Sequence, residues 1–350
     1  MKTYYSLIKN VLPLKITFWL ALFTLTATAS FLTNAADIPD EFGTDWDDPR
    51  TAAPPVKRPD GISCSVKIVD TEFTNFTPYT STYTPPEDCP GPWQAVVLEM
   101  HGSIAGRQFD RLGYLDIGDV TVFKTSTPEP SLEGIEWSVE KDLTEYAALF
   151  KETQPIEMLI ANVVNDTYTG ILDIEVSLTF YPGSVPEGTA TDIIGLNAPH
   201  KEGTALVGGL SIAANTERLF ADVYATGSGG GCEEFWYLTT PDEAAYSCPG
   251  GKGPYREVQI RIDGTLAGIA APYPHVYTGG WANPFLWSVL PAPRAFNIQP
   301  IRYDLTPFIG MYSVCRRISP AGTYLLHSSP GETTTALGSA VDLLILKKPH

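Results

Sequence analysis

Residues 170–182, GILDIEVSLTFYP, alternate one by one between two classes of side chain. Leu172, Ile174, Val176 and Leu178 form one row, and Ile171, Asp173, Glu175 and Ser177 form the other. A period of two places the rows on opposite faces of an extended strand, one facing a core and one facing water. Similar short runs, separated by turn residues, recur as CSVKIVD, WQAVVLEMHGSI, GDVTVFKTS, IEMLIANVV, TALVGGLSI, RLFADVYAT, EFWYLTT and REVQIRIDGTLAGIAAPY. Half-buried strands at this density predict an all-β chain of packed antiparallel sandwiches. The abundance of Pro and Gly, 30 each, agrees with a turn-rich β protein. One short helix is expected around residues 143–150. A two-residue hairpin is expected at Ile262-Asp263-Gly264-Thr265, where Asp-Gly tolerates positive φ.

The punctuation between runs divides the chain. Residues 1–35 carry Lys2, Lys9 and Lys15 ahead of the uncharged run ITFWLALFTLTATASFL, which reads as a secretory signal peptide or, if retained, a signal anchor. Residues 36–61 are acidic, proline-rich and aperiodic, the composition of a linker. Pro182-Gly183-Ser184-Val185-Pro186-Glu187-Gly188 breaks the strand pattern, so one domain is expected over 62–184 and a second over 190–312. Residues 313–350 form a tail of different character.

The formal charge is −17, and removing the first 35 residues, with three lysines and no acids, takes it to −20. Such a surface repels nucleic-acid phosphates and anionic membranes. No nucleic-acid partner is expected, and no stable membrane partner unless the N-terminal segment stays as an anchor. Five histidines lie far apart without HExxH or HxH spacing, so no metal site is expected. No GxSxG appears, and the glycine-rich residues 227–231 lack the lysine of a phosphate loop. Of five cysteines, Cys64 and Cys89 bracket one loop and Cys232 and Cys248 another. In an oxidising compartment these are the simplest pairs, leaving Cys315 over, although connectivity stays open at this point. Asn75-Phe76-Thr77 and Asn165-Asp166-Thr167 are glycosylation sequons.

Two carboxylates stand out. In Gly106-Arg107-Gln108-Phe109-Asp110-Arg111 a regular strand puts Arg107, Phe109 and Arg111 on one face and Gln108, Asp110 and Leu112 on the other. Glu234, in GCEEFWY, adjoins aromatic residues. Aromatics beside carboxylates suit a carbohydrate cleft, since pyranose faces stack on aromatic rings. On the residues alone, a surface aspartate and a strand-edge glutamate are the leading readings, with a site role for each left open.

The blocks GRQFDRLGYLDIGDVTVFKTSTPEP, GIEWSVEKDLTEYAALF, EFWY, REVQIRIDGTLAG, PYPHVYTGGWANPFLW and YDLTPFIG together resemble the peptide-N4-(N-acetyl-β-glucosaminyl)asparagine amidase A family. They occur in family order from Cys64 to Gly310. The resemblance implies two jelly-roll sandwiches and hydrolysis of the amide joining an N-glycan to asparagine, yielding a 1-amino-glycan and aspartate. The implied substrates are N-glycopeptides or denatured N-glycoproteins, with no cofactor. Phe109-Asp110-Arg111 looks like the Trp-Asp-Arg of a more distant bacterial glycanase, so Asp110 inherits the principal catalytic role. Glu234 matches that enzyme's second acid, and its third falls near Asn162. Arg111 is implied to assist a carboxylate or bind the peptide carbonyl, and Trp236 and Trp287 to act as sugar platforms.

The chain departs from the family in two places. Ser288 follows Trp287 where an arginine is usual, and the similarity stops near Gly310. The second sandwich is therefore expected to lack its closing strands, with open apolar edges. Two further readings stay beside the amidase: a glycan-binding relative without turnover, and a truncated non-functional product.

Overall fold

The computed structural model describes residues 56–130, 132–195, 213–227, 258–262, 265–270, 296–309, 323–324 and 337–347. The first eight strands are β1 (Cys64–Phe73), β2 (Tyr79–Tyr83), β3 (Trp93–Ile104), β4 (Leu112–Ile117), β5 (Val120–Ser126), β6 (Ile135–Asp142), β7 (Gln154–Ile160) and β8 (Leu172–Pro182). They form two four-stranded sheets ordered β1-β8-β3-β6 and β2-β7-β4-β5. Their pairings are antiparallel throughout. Apart from the β4–β5 hairpin, consecutive strands alternate between the sheets, which is the winding of a jelly roll.

The alternation in β8 sets the packing. Leu172, Ile174, Val176 and Leu178 are fully buried, whereas Asp173 and Glu175 face water. Each such side chain contributes about 1.5–3 kcal/mol of transfer free energy. They join a core completed from the facing sheet by Leu115, Ile117, Ile156, Met158 and Ile160. β3 adds Val96, Leu98, Met100 and Ile104. Opposite Gly102 in the β3–β6 register stands Trp137, and a Cβ built on Gly102 would lie 2.4 Å from the indole. The glycine makes room for the largest side chain in the layer.

A disulfide joins Cys64 to Cys89, tying the head of β1 to the segment before β3. Trp93 Nε1 donates to the Cys89 carbonyl at 2.8 Å, so the buried end of that loop is held on both sides. The short helix expected near residues 143–150 is a 3-10 helix, Thr144–Lys151, that buries Tyr146, Ala147, Leu149 and Phe150. Its tight pitch seats it over the start of β3, where Leu143 N–H donates to the Val96 carbonyl.

Beyond Pro182 come β9 (Asp192–Gly195), β10 (Thr216–Gly227), β11 (Val258–Ile262), β12 (Thr265–Ala270), β13 (Ile301–Asp304), β14 (Thr323–Tyr324) and β15 (Leu337–Lys347). They form a sheet ordered β13-β10-β15-β9 and another ordered β12-β11-β14, again antiparallel. Ile262 pairs with Thr265, the register of a two-residue hairpin.

Two runs of the tail, within TYLLHS and AVDLLILKK, take part in these sheets. Residues of the tail supply β14 and β15, and β15 lies between β10 and β9 with Phe220 opposite Leu344 and Leu343 opposite Ile194. An eleven-residue run rich in Leu, Ile and Val satisfies the ladder groups of both neighbours whatever its ancestry. Among the described residues no helix is long and apolar enough to cross a membrane.

Candidate functional site

In a jelly roll alternate connections emerge at the same end, and four of them meet here: residues 74–78, 105–111, 127–134 and 161–171. Hydrogen bonds join them. Asn162 N–H donates to the Asn75 carbonyl at 3.2 Å, linking the β7–β8 and β1–β2 loops. Thr169 and Gly170 N–H donate to the Arg107 carbonyl at 2.9 and 3.1 Å, linking the β7–β8 and β3–β4 loops. Gly106 has φ +96°, and a Cβ there would lie 2.7 Å from Thr169 Oγ1, so both backbone and space require glycine.

GRQFDR is a loop between β3 and β4, which corrects the strand-face expectation for these residues. A strand would send Gln108 and Arg111 to opposite faces, but the irregular backbone of residues 108–111 brings them together. Gln108 is buried and organises the loop. Its Nε2 donates to the Val163 carbonyl at 3.0 Å and the Gly170 carbonyl at 3.1 Å. Its Oε1 accepts from Phe109 N–H at 3.1 Å and from Arg111 Nη2. Arg111 is also clamped through its backbone: its N–H donates to Thr127 Oγ1 and its carbonyl accepts from Thr127 N–H, each at 2.9 Å.

Asp110 therefore sits between two restrained residues. It is half-buried, with Oδ2 shut off from solvent. Arg111 Nε is likewise buried and has no hydrogen-bond partner among the described residues. Phe109 remains 47% exposed, and its ring lies 5.3 Å from that of Tyr168. The Arg107 guanidinium stands 5.8 Å from the Tyr168 ring centre. This end thus presents an acid, a guanidinium and an aromatic pair.

Asn162 is fully buried. Its Nδ2 donates to the Phe73 and Gly170 carbonyls at 2.8 and 3.1 Å, and its Oδ1 accepts from Val163 N–H at 2.9 Å. Its amide is committed to bracing the β7–β8 loop on which Gln108 rests. Glu129 was not singled out from the sequence. It lies two residues beyond Thr127, and burial raises its carboxyl above the usual carboxylate range. The sequence signal for it was its place inside TSTPEP, between two prolines that restrict the loop. The roles of Gln108 and Tyr168 were equally silent, because their partners, Val163 and Gly170 for one and Phe109 for the other, are distant in the chain. Asn75 and Asn165 are exposed. Glu234, Trp236, Trp287, Cys232 and Cys248 lie outside the described residues.

An eight-stranded jelly roll followed by further antiparallel sheets, with polar chemistry gathered at one loop end, defines a β-sandwich protein whose site is built on connections. Within that class, the chain belongs to the family described as peptide N-acetyl-beta-D-glucosaminyl asparaginase amidase A, whose model matches residues 51–314. The peptide-N4-(N-acetyl-beta-glucosaminyl)asparagine amidase A of Prunus dulcis is 32% identical over 290 residues, covering 73% of this chain and 50% of that protein. The chain thus spans about half the length of this curated relative. Among solved structures, PNGase F, a glycosylasparaginase from Flavobacterium meningosepticum, superposes with a TM-score of 0.55 at 12% identity, covering 82% of this chain and 96% of that one. PNGF-II gives a TM-score of 0.56 at 12% identity, covering 82% of this chain and 66% of that one. At such identities the two structures speak for the fold alone.

Proposed function

We propose that this chain hydrolyses the amide bond between an N-glycan and asparagine, releasing the 1-amino-glycan and leaving aspartate in the peptide. The observation that carries this reading is membership of the amidase A family across residues 51–314, which includes the braced loop bearing Asp110. N-glycopeptides and denatured N-glycoproteins are the substrates. The N-terminal leader directs the chain into the secretory pathway.

Asp110 deprotonates or orients the attacking water beside the amide carbon. Arg111 faces the carbonyl oxygen as negative charge develops there. Glu234 serves as a second acid, through water, and Trp236 and Trp287 hold sugar rings. Asn162 and Gln108 position the loop rather than touch substrate. The proton that leaves water is returned to the departing amine, so no redox partner is needed.

The test is glycan release from a denatured N-glycopeptide at mildly acidic pH, read by mass spectrometry for wild type and Asp110→Asn. Conversion of the glycosylated asparagine to aspartate by wild type alone supports the reading. Glycan binding without release by a cooperatively folded wild-type chain would instead establish a lectin-like relative.

A further inference from the structure

The sequon Asn165-Asp166-Thr167 lies in the loop that touches the Asp110 segment. Asn165 is exposed and closes a tight turn. Its Oδ1 accepts from Thr167 and Tyr168 N–H at 2.8 and 2.9 Å, and its own N–H donates to the Tyr168 carbonyl at 2.8 Å. Nδ2, the atom that carries an N-glycan, takes no part in these three bonds. Glycosylation therefore leaves the turn as it is.

The turn is fixed to the candidate catalytic loop. Tyr168 packs its ring on Phe109, Thr169 Oγ1 accepts from Arg107 N–H at 3.1 Å, and the Val163 carbonyl accepts from Gln108. A glycan rooted at Asn165 thus starts on the turn that carries Tyr168, whose ring packs on the exposed Phe109 directly before Asp110. Two pyranose rings in sequence out-span the 5.3 Å between the Tyr168 and Phe109 rings. An exposed aromatic face is a surface on which such rings stack.

We infer that the chain's own N-glycan at Asn165 lies across the Phe109-Asp110 loop and competes there with substrate glycans. This rests on the reading of that loop as the N-glycan amidase site. A tethered ligand acts at an effective concentration in the millimolar range, so even weak stacking occupies the site measurably. Asn75, the other sequon at this end, is joined to the β7–β8 loop through Asn162 and, among the described residues, shares no hydrogen bond with residues 105–111, which makes it the natural comparison.

The full chain is produced in a secretory host as wild type, Thr167→Ala and Thr77→Ala. Thr167→Ala deletes the sequon and keeps the backbone N–H that Asn165 Oδ1 accepts. Occupancy at Asn165 is read by peptide mapping. Thr167→Ala is expected to lower KM for a glycopeptide about tenfold with kcat unchanged, and to bind free N,N′-diacetylchitobiose more tightly in calorimetry, as release of a tethered competitor requires. Thr77→Ala is expected to match wild type. Wild-type Asn165 found unglycosylated, equal KM and chitobiose affinity for Thr167→Ala and wild type, or an equal gain from Thr77→Ala each overturns the inference. Turnover without any KM difference defeats the inference and leaves the amidase standing. A chitobiose difference in a chain without turnover defeats the amidase and leaves the occupied loop standing.

Discussion

Tyr146 donates a 2.7 Å hydrogen bond from its hydroxyl to Oδ2 of Asp222, joining the 3-10 helix of the jelly roll to β10 of the following sheet. Asp222 is fully buried, and Arg302 on β13 grips it with Nε and Nη2 at 2.7 and 2.8 Å. Arg302 also pairs with Glu145 at 2.6 Å. Beside them the buried Lys141 ammonium donates to the Val122 carbonyl at 2.8 Å and meets the Tyr224 hydroxyl. The join is therefore polar, and a buried charge there depends on every partner.

Tyr146→Phe removes one charge-assisted bond and keeps the ring, which is expected to cost about 1.5–3 kcal/mol. Asp222→Asn leaves Arg302 facing a neutral amide and is expected to cost more, about 3 kcal/mol or above. Urea unfolding of both variants checks the order. Equal stability of wild type and Asp222→Asn would mean that the join carries no load.

Gln108 is expected to set activity without touching substrate. Gln108→Leu strands the Val163 carbonyl, leaves the Gly170 carbonyl to Asn162 alone, and releases Phe109 N–H and Arg111, so the Asp110 carboxylate loses its fixed place. Misplacement on the order of an ångström lowers kcat by about a hundredfold. Glycopeptide kinetics well below the variant's Tm separate this from unfolding, since a purely structural loss leaves kcat per folded molecule unchanged.

Lys124 is fully buried on β5, and burial pushes its ammonium down to about 7, with Asp116 opposing the shift. Between about 7 and its ordinary value near 10.5 the unfolded chain binds the extra proton, so stability rises with pH across that window. Lys124→Met is expected to flatten the rise, as measured by urea midpoints at a series of pH values from neutral upward. An unchanged slope would assign the pH dependence to another group.

Gly102→Ala is expected to destabilise by about 1–3 kcal/mol, because the new Cβ meets the Trp137 indole in a packed layer. Thermal unfolding checks this, and the double variant with Trp137→Phe should recover part of the loss. No recovery would place the cost in the strand backbone rather than in the indole.

Strand identity was written in the sequence. The alternation in residues 170–182 specified β8 and its buried row, and WQAVVLEMHGSI matches β3, Trp93–Ile104, end to end. A period of two is a local property, and burial of one face follows from it wherever a second layer is available. Asp110 was singled out through the family motif around it, and its role stays a proposal. Its surroundings were not legible. Gln108 and Arg111 appear on opposite faces while residues 105–111 are read as a strand, and they meet because residues 108–111 are irregular loop. The bonds of the Asn162 amide to Phe73, at the end of β1, and to Gly170 could not be seen in the sequence either. The tail at 313–350 places β15 in the middle of a sheet. Local pattern and composition thus decided which segments extend and which face each buries, because those depend on neighbours a few residues away. Which loops meet, which polar atoms are spent on one another, and which strand fills a gap depend on contacts distant in the chain, and only the tertiary structure could decide them.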